Sequence, residues 1–165
     1  MTVQASEILY FNGIRMDMCD APLEDYFRIS GGRPKFEYNC TALARGYIGT
    51  WEILDDRLYM IKFAVGGVGE EFRGIEVATF FEHDESPVRF DMKSIFPCYP
   101  DRVFADWYSG TLRVEQGELI KSTCMNTYYE QYLLINVDSG VVTGTEVLKT
   151  DVEEVLKLTY RGQMD

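Results

Sequence analysis

The stretch GYIGTWEILDDRLYMIKF, residues 46–63, decides the fold. If Asp55-Asp56 make a two-residue turn, Leu54 falls opposite Arg57, Ile53 opposite Leu58 and Trp51 opposite Met60. One face of the resulting hairpin carries Trp51, Ile53, Leu58 and Met60, which are all apolar. The other carries Thr50, Glu52, Leu54, Arg57, Tyr59 and Ile61, a mixed set. Slipping the register by one residue would move every side chain to the wrong face, so the pattern itself argues for the pairing.

Hairpins recur along the chain. Ile8-Leu9-Tyr10-Phe11 runs into Asn12-Gly13 and leaves through Ile14-Arg15-Met16, and Asn-Gly supplies the positive φ angles of a type I′ turn. Residues 133–137 lead through Asp138-Ser139-Gly140 to Val141-Val142. Residues 103–121, VFADWYSGTLRVEQGELIK, line up with the first hairpin quoted, Gly110 on Gly49 and Leu119 on Leu58, and imply a polar turn between the halves. In this segment Trp107, Leu112, Val114 and Leu119 are expected to build the core, leaving Asp106, Tyr108 and Arg113 free to act. Helical signals are fewer: Asp20 ahead of Pro22-Leu23-Glu24 with Gly31-Gly32 beyond, one turn over residues 91–96, and a capping-box spacing from Thr150 to Glu153. Val152, Val155 and Leu156 would follow that last cap on one helix face, unless they continue a strand. Gly66, Gly67 and Gly69 suggest a loop, residues 77–81 a buried strand, and residues 83–87 an acidic turn. The expected fold is mainly β, one domain over residues 1–165: an antiparallel β-sandwich or partly open barrel built from hairpins, with one to three short helices.

Composition supports a globular chain and narrows its chemistry. Apolar residues make up 46% of the 165 and aromatics 14%, enough for a sizeable core and a β-rich one. The net charge of −11 disfavours direct binding to a nucleic-acid backbone, where Lys and Arg must replace counterions. It suits solubility, or attraction to a basic protein. Cys19, Cys40, Cys98 and Cys124 contain no C-x-x-C pair and His83 is the sole histidine, so neither zinc nor another metal site is expected, and no cofactor. The opening residues MTVQASEILYF have neither the basic start nor the apolar run of a secretion signal, and no apolar run reaches membrane-spanning length. A cytoplasmic protein with reduced thiols and no membrane association is the expectation.

No catalytic set stands out. His83 lies in the charged stretch EHDESP, and no G-x-S-x-G elbow or P-loop accompanies it. Glu70-Glu71 and Asp55-Asp56 lack the alternate spacing of an EF-hand and read as loop and turn residues. Asp106 is the carboxylate to watch, since burial against Trp107 would raise its pKa and fit it for general-acid work. Alternation that turns Asp106 outward is the competing reading. Arg45, Trp107, Tyr108, Tyr128 and Tyr129, with Asp106, could form a polar-aromatic patch at one end of the sheet, of the kind protein interfaces favour.

Arg45-Gly46-Tyr47, Trp51-Glu52-Ile53, Leu58-Tyr59, the run from Phe104 to Arg113, Gly117, Tyr129-Glu130 and Gly140-Val141-Val142 together resemble a group of small bacterial β-rich proteins with no assigned activity. The resemblance covers roughly residues 36–145 and implies a shared fold, with nothing about catalysis. Three functions remain open: a non-catalytic protein-binding module of immunity or adaptor type, a small-molecule-binding barrel lined by aromatics, and a carboxylate enzyme using Asp106.

Overall fold

The structure is a computed structural model that describes residues 3–34, 36, 42–65, 91–99, 101–123 and 126–161. His83, the glycines at 66–69, Glu70-Glu71, the strand expected over 77–81, Cys40 and Cys124 lie outside them.

Turn chemistry lays down the sheet. β1 (Glu7–Phe11) returns as β2 (Ile14–Met18) through Asn12-Gly13, at φ 52° and 75°. α1 (Pro22–Ser30) follows and ends at Gly31, whose left-handed φ of 75° lets its amide reach back to Phe27 O. β3 (Tyr47–Leu54) returns as β4 (Arg57–Val65) through Asp55-Asp56 at φ 50° and 59°, in the expected register. α2 (Met92–Ile95) is the expected single turn, capped by Asp91. β5 (Val103–Phe104) precedes the long β6 (Gly110–Ser122) and β7 (Thr127–Asp138). β8 (Val141–Lys149) leaves β7 through Ser139-Gly140 at φ 46° and 82°, and α3 (Val152–Arg161) closes the described chain. Three hairpins thus share one device: two consecutive residues at positive φ, whose twist matches the twist of the strands they join.

The strands form one mainly β architecture, an eight-stranded sheet in the order β3-β1-β2-β6-β7-β8-β4-β5, with β3 also paired to β4. The sheet therefore curls into a ring. Two of its seams are thin: Met18 opposite Val114 joins β2 to β6, and Arg57 opposite Val141 joins β4 to β8. The result is a partly closed barrel rather than a smooth one. Residues alternate across the ring as the pleat requires. Leu9, Met18, Trp51, Ile53, Leu58, Met60, Leu112, Val114, Leu133, Ile135 and Val137 turn inward as one buried cluster, plugged by Leu23 and Phe27 of α1 and by Met92 and Phe96 around α2. Trp51 is fully buried and has its ring centroid 6.4 Å from that of Trp107, so truncating it would cost about 3–5 kcal/mol.

Several expectations are corrected. One pairing is parallel, β1 beside β3 from Ile8–Thr50 to Phe11–Ile53, because the chain crosses over through β2 and α1 before returning. Residues 110–122 are one strand and not a hairpin: a type I′ turn needs two residues at positive φ, and here only Gly117 supplies one, so the strand bulges and stays paired to β7. Leu119, beyond that bulge, is 49% exposed and outside the core, while Tyr108 is buried. Asp106 and Trp107 sit in a turn after β5, with Tyr108 N donating to Ala105 O at 3.1 Å, and not in a strand. Asp20 does not cap α1; its carboxylate accepts the Arg113 amide at 2.6 Å and helps bind β2 to β6. α3 is capped by Asp151, which accepts from the amides of Glu153 and Glu154, while Thr150 donates to Tyr129 O. On α3 only Val155 is buried of the expected trio; Val152 and Leu156 are exposed.

Gly140 shows how tightly the turns fit. At φ 82°, a Cβ added there would lie 2.7 Å from Ala105 O and 2.7 Å from Phe104 Cε2. Gly140→Ala is expected to lower stability by at least ~2 kcal/mol, the sum of left-handed strain and a clash with backbone that cannot swing away. Urea unfolding checks this; an unchanged midpoint would show that the turn has room to shift.

Candidate functional site

Three turns meet at one end of the ring and are bolted together through the main chain. Leu58 N donates to Gly140 O at 2.8 Å, and Ala105 N donates to Leu58 O at 2.9 Å. Val142 N donates to Asp56 O at 2.7 Å, and Gly140 N donates to Tyr108 O at 2.9 Å. Side chains add to the joint: Ser139 N donates to Ser109 Oγ at 2.8 Å, and the Ser109 and Ser139 hydroxyls both reach Asp138 Oδ1. Consequently Asp55 and Asp56, Asp106, and Asp138, far apart in sequence, are carried by contiguous turns. All four are exposed, and among the described residues none of them is in a salt bridge.

The same end presents apolar surface. Leu54 is 44% and Val141 41% exposed, and both flank Arg57, which pairs with each across the sheet. Arg57 lies 5.7 Å from the centroid of the Phe104 ring, and Arg102 lies 4.5 Å from that of Tyr59. Apolar side chains ringed by charge and stacked guanidinium groups are the usual composition of a protein-binding patch.

The Asp55-Asp56 turn carries a cost. Aspartate tolerates the left-handed region better than most residues, but Asn-Gly meets the same geometry with less strain.

The residues singled out from the sequence fall in three places. Asp106 and Trp107 belong to this acidic end. Asp106 faces water, and Trp107 is half-buried, donating through Nε1 to Pro22 O at 2.9 Å and stacking on Phe96 with a 5.7 Å centroid separation. Tyr108 supplies its carbonyl to the joint while its ring is buried, which pushes its hydroxyl up, and Asp20 and Asp25 add to the effect. Tyr128 and Tyr129 pair with Lys121 and Leu119 at the far end of β6 and β7. Tyr129 stands eight residues from Val137 on β7, roughly 27 Å away at strand spacing. There Glu115 accepts from Thr127 and from Cys19, and the thiol, though its residue is exposed overall, is pushed up to about 12 by burial of the sulfur and by that carboxylate. Such a thiol is a poor nucleophile at neutral pH.

Arg45 lies at a third place, the opposite end of the β3–β4 hairpin. It donates to Ala5 O at 2.7 Å and to Glu7 Oε2 at 3.1 Å, and its guanidinium lies 5.7 Å from the Tyr47 ring centroid. Glu7 is 1% exposed and also accepts the Gly49 amide. Tyr47 donates its hydroxyl to Glu24, which is clamped in turn by two nitrogens of Arg33. Among the described residues no group of acids, cysteines or histidines is arranged to hold a metal ion. No helix among them is long and apolar enough to cross a membrane.

Sequence reasoning passed over Asp55, Asp56 and Asp138 as turn residues and did not weigh Glu7 at all. The turn geometry of the three was legible, but their convergence depends on β4 and β8 meeting. Glu7 did leave a signal, since it shares the inward register of Leu9 and Phe11.

Compared with protein-family models, curated proteins and solved structures, the chain matches none.

Replacing Asp55-Asp56 with Asn-Gly is expected to raise stability by about 1 kcal/mol, by relieving the left-handed strain and like-charge repulsion. A denaturation midpoint that falls instead would show that the two acids stabilise this turn.

Proposed function

We propose that the protein is a cytoplasmic bacterial binding module, of immunity or adaptor type and without catalytic activity, whose acidic end engages a basic protein. The observation that carries this reading is the convergence of four exposed aspartates, none in a salt bridge among the described residues, around Leu54 and Val141, on turns fixed to one another by backbone hydrogen bonds. A rigid surface loses little conformational entropy when it is covered, and fixed negative charge accelerates encounter with a positive partner. The net charge of −11 extends the same field over the whole molecule.

Other facts support this over its rivals. The rings that a ligand-binding barrel would turn towards a cavity are packed on one another: Tyr47 lies 5.0 Å from Phe63 and 5.4 Å from Phe36, centroid to centroid. Asp106, the candidate general acid, stands in water on a turn and not against a desolvating wall.

The test is affinity capture from the native host with the wild type and with a variant carrying Asp55→Asn, Asp56→Gly, Asp106→Asn and Asp138→Asn. The wild type is expected to retain one stoichiometric basic protein at low salt and to release it at high salt, because exposed charge is screened within about 10 Å at 0.1 M. The variant, still folded by circular dichroism, is expected to lose it. A partner held equally by the variant, or undisturbed by salt, would refute the assignment of this surface.

A further inference from the structure

We infer that the open edge of β8 is a self-association site, where two copies of the chain pair antiparallel about a two-fold axis at Val147 and join their sheets into one.

The edge is open because the seam with β4 ends early. β4 covers only the start of β8: Leu58 N donates to Gly140 O, Val142 N donates to Asp56 O, and Arg57 faces Val141. Beyond Val142, among the described residues, β8 pairs with β7 alone, as far as Lys149 opposite Gln131. Thr150 N then donates to Glu130 O and the chain turns into α3. Residues 145–149 are all exposed, with Val147 and Leu148 each at 52%. Two features that blunt such an edge, a bulge and a lysine, stand only at its ends, between Val142 and Gly144 and at Lys149. Between them runs a row of main-chain donors and acceptors of the kind an added strand satisfies.

A second copy fits that edge in one register. A two-fold axis through the sheet keeps like faces together, so each residue meets one from its own face. Centring the axis on Thr145 would run the second copy's Leu148 and Lys149 onto Val142 and Val141, which β4 already covers. Centring it on Glu146 sets that carboxylate against its own copy, which is destabilising. Centring it on Leu148 shortens the ladder to residues 147–149, because Thr150 is bonded to Glu130. Centring it on Val147 sets Val147 against Val147, Glu146 against Leu148 and Thr145 against Lys149, with no like charges opposed and the ladder wholly within the open stretch. Val147 stands opposite Leu133 on β7, so the pair extends the apolar inner face of the sheet.

Charge favours the same arrangement. Each copy has a net charge of −11, and its exposed turn aspartates gather where β8 begins. Antiparallel pairing about Val147 sends the two acidic ends in opposite directions. Val141 is six residues from the axis, so the two ends lie roughly 40 Å apart at strand spacing, several Debye lengths at physiological salt. Parallel pairing would set them side by side. The ladder is short beside the roughly 1,200–2,000 Å² buried in stable complexes, so the pair is expected to form reversibly and to dissociate on dilution.

Sedimentation equilibrium of the intact protein over a concentration series tests this. The mass is expected to rise from 19.0 kDa towards twice that value. Val147→Lys opposes two ammonium groups at the axis and is expected to hold the protein at the monomer mass. It should fold normally by circular dichroism, because the side chain it replaces is exposed. Cysteine substitutions fix the register. Under oxidation Val147→Cys is expected to form a disulfide between the two introduced thiols. Thr145→Cys should form little, since its Cα lies roughly 13 Å from its copy at strand spacing, beyond the ~7 Å a disulfide spans. Mass spectrometry of the bridged peptides, with the wild type oxidised alongside, separates these products from any made by the exposed Cys19 and Cys98. A monomer at every concentration, association indifferent to Val147→Lys, or equal bridging at the two positions would each overturn the proposal.

Discussion

The backbone of Leu58 is the point on which the architecture depends. Its amide is spent on Gly140 of the β7–β8 turn and its carbonyl on Ala105 ahead of β6, while its side chain is fully buried. β4 is already paired to β3 along its other edge, so these bonds turn an open curled sheet into a ring. The bond from Val142 N to Asp56 O completes the closure on this side, where Arg57 and Val141 are the registered pair. Breaking the joint would expose the edges of β4 and β8 and the apolar interior between them, costs of a kind the hairpins alone could not offset.

That closure also creates the electrostatics. A hairpin turn is polar for local reasons, because its central residues must adopt positive φ and its backbone must face water. Three such turns on separate strands would be unremarkable apart. Brought together, they place Asp55, Asp56, Asp106 and Asp138 at one end of the ring, where the four carboxylates outnumber the Arg57 and Arg102 guanidiniums. The acidity of the surface is thus a consequence of topology acting on turn composition.

This division explains what could be read from the residues. The Asn12-Gly13, Asp55-Asp56 and Ser139-Gly140 hairpins were legible because turn type and alternation are local properties. A partly open barrel was one of the two folds expected, but which strands close it was not legible, because its seams rest on single residue pairs that no period announces. Gly117 misled for a specific reason: one glycine among polar residues fits a turn and a bulge equally well, and the partner strand decides between them. Asp20 and Thr150 misled for another. Each stood where a helix cap belongs, but one found a better acceptor role across the β2–β6 seam and the other a carbonyl on β7, and tertiary bonds outbid local ones. The proposed patch of Arg45, Asp106, Trp107, Tyr108, Tyr128 and Tyr129 could not be tested without topology, which distributes those residues among three sites.

The contrast between Glu7 and the turn aspartates carries the argument one step further. All are carboxylic acids, on or beside the same few strands, yet their surroundings give them different sensitivities. The aspartates lie in water, so dissolved salt weakens whatever they attract. Glu7 is buried, with Arg45 and the Gly49 amide on its carboxylate, so salt in the solvent does little to screen it. The two ends of the β3–β4 hairpin, about five residues or roughly 17 Å apart from Gly49 to Leu54, therefore differ in how far solvent reaches their charges. A rigid hairpin joins them, with Trp51 and Ile53 packed between. Any influence of one end on the other must pass through that packed interior, where Trp51 is fully buried.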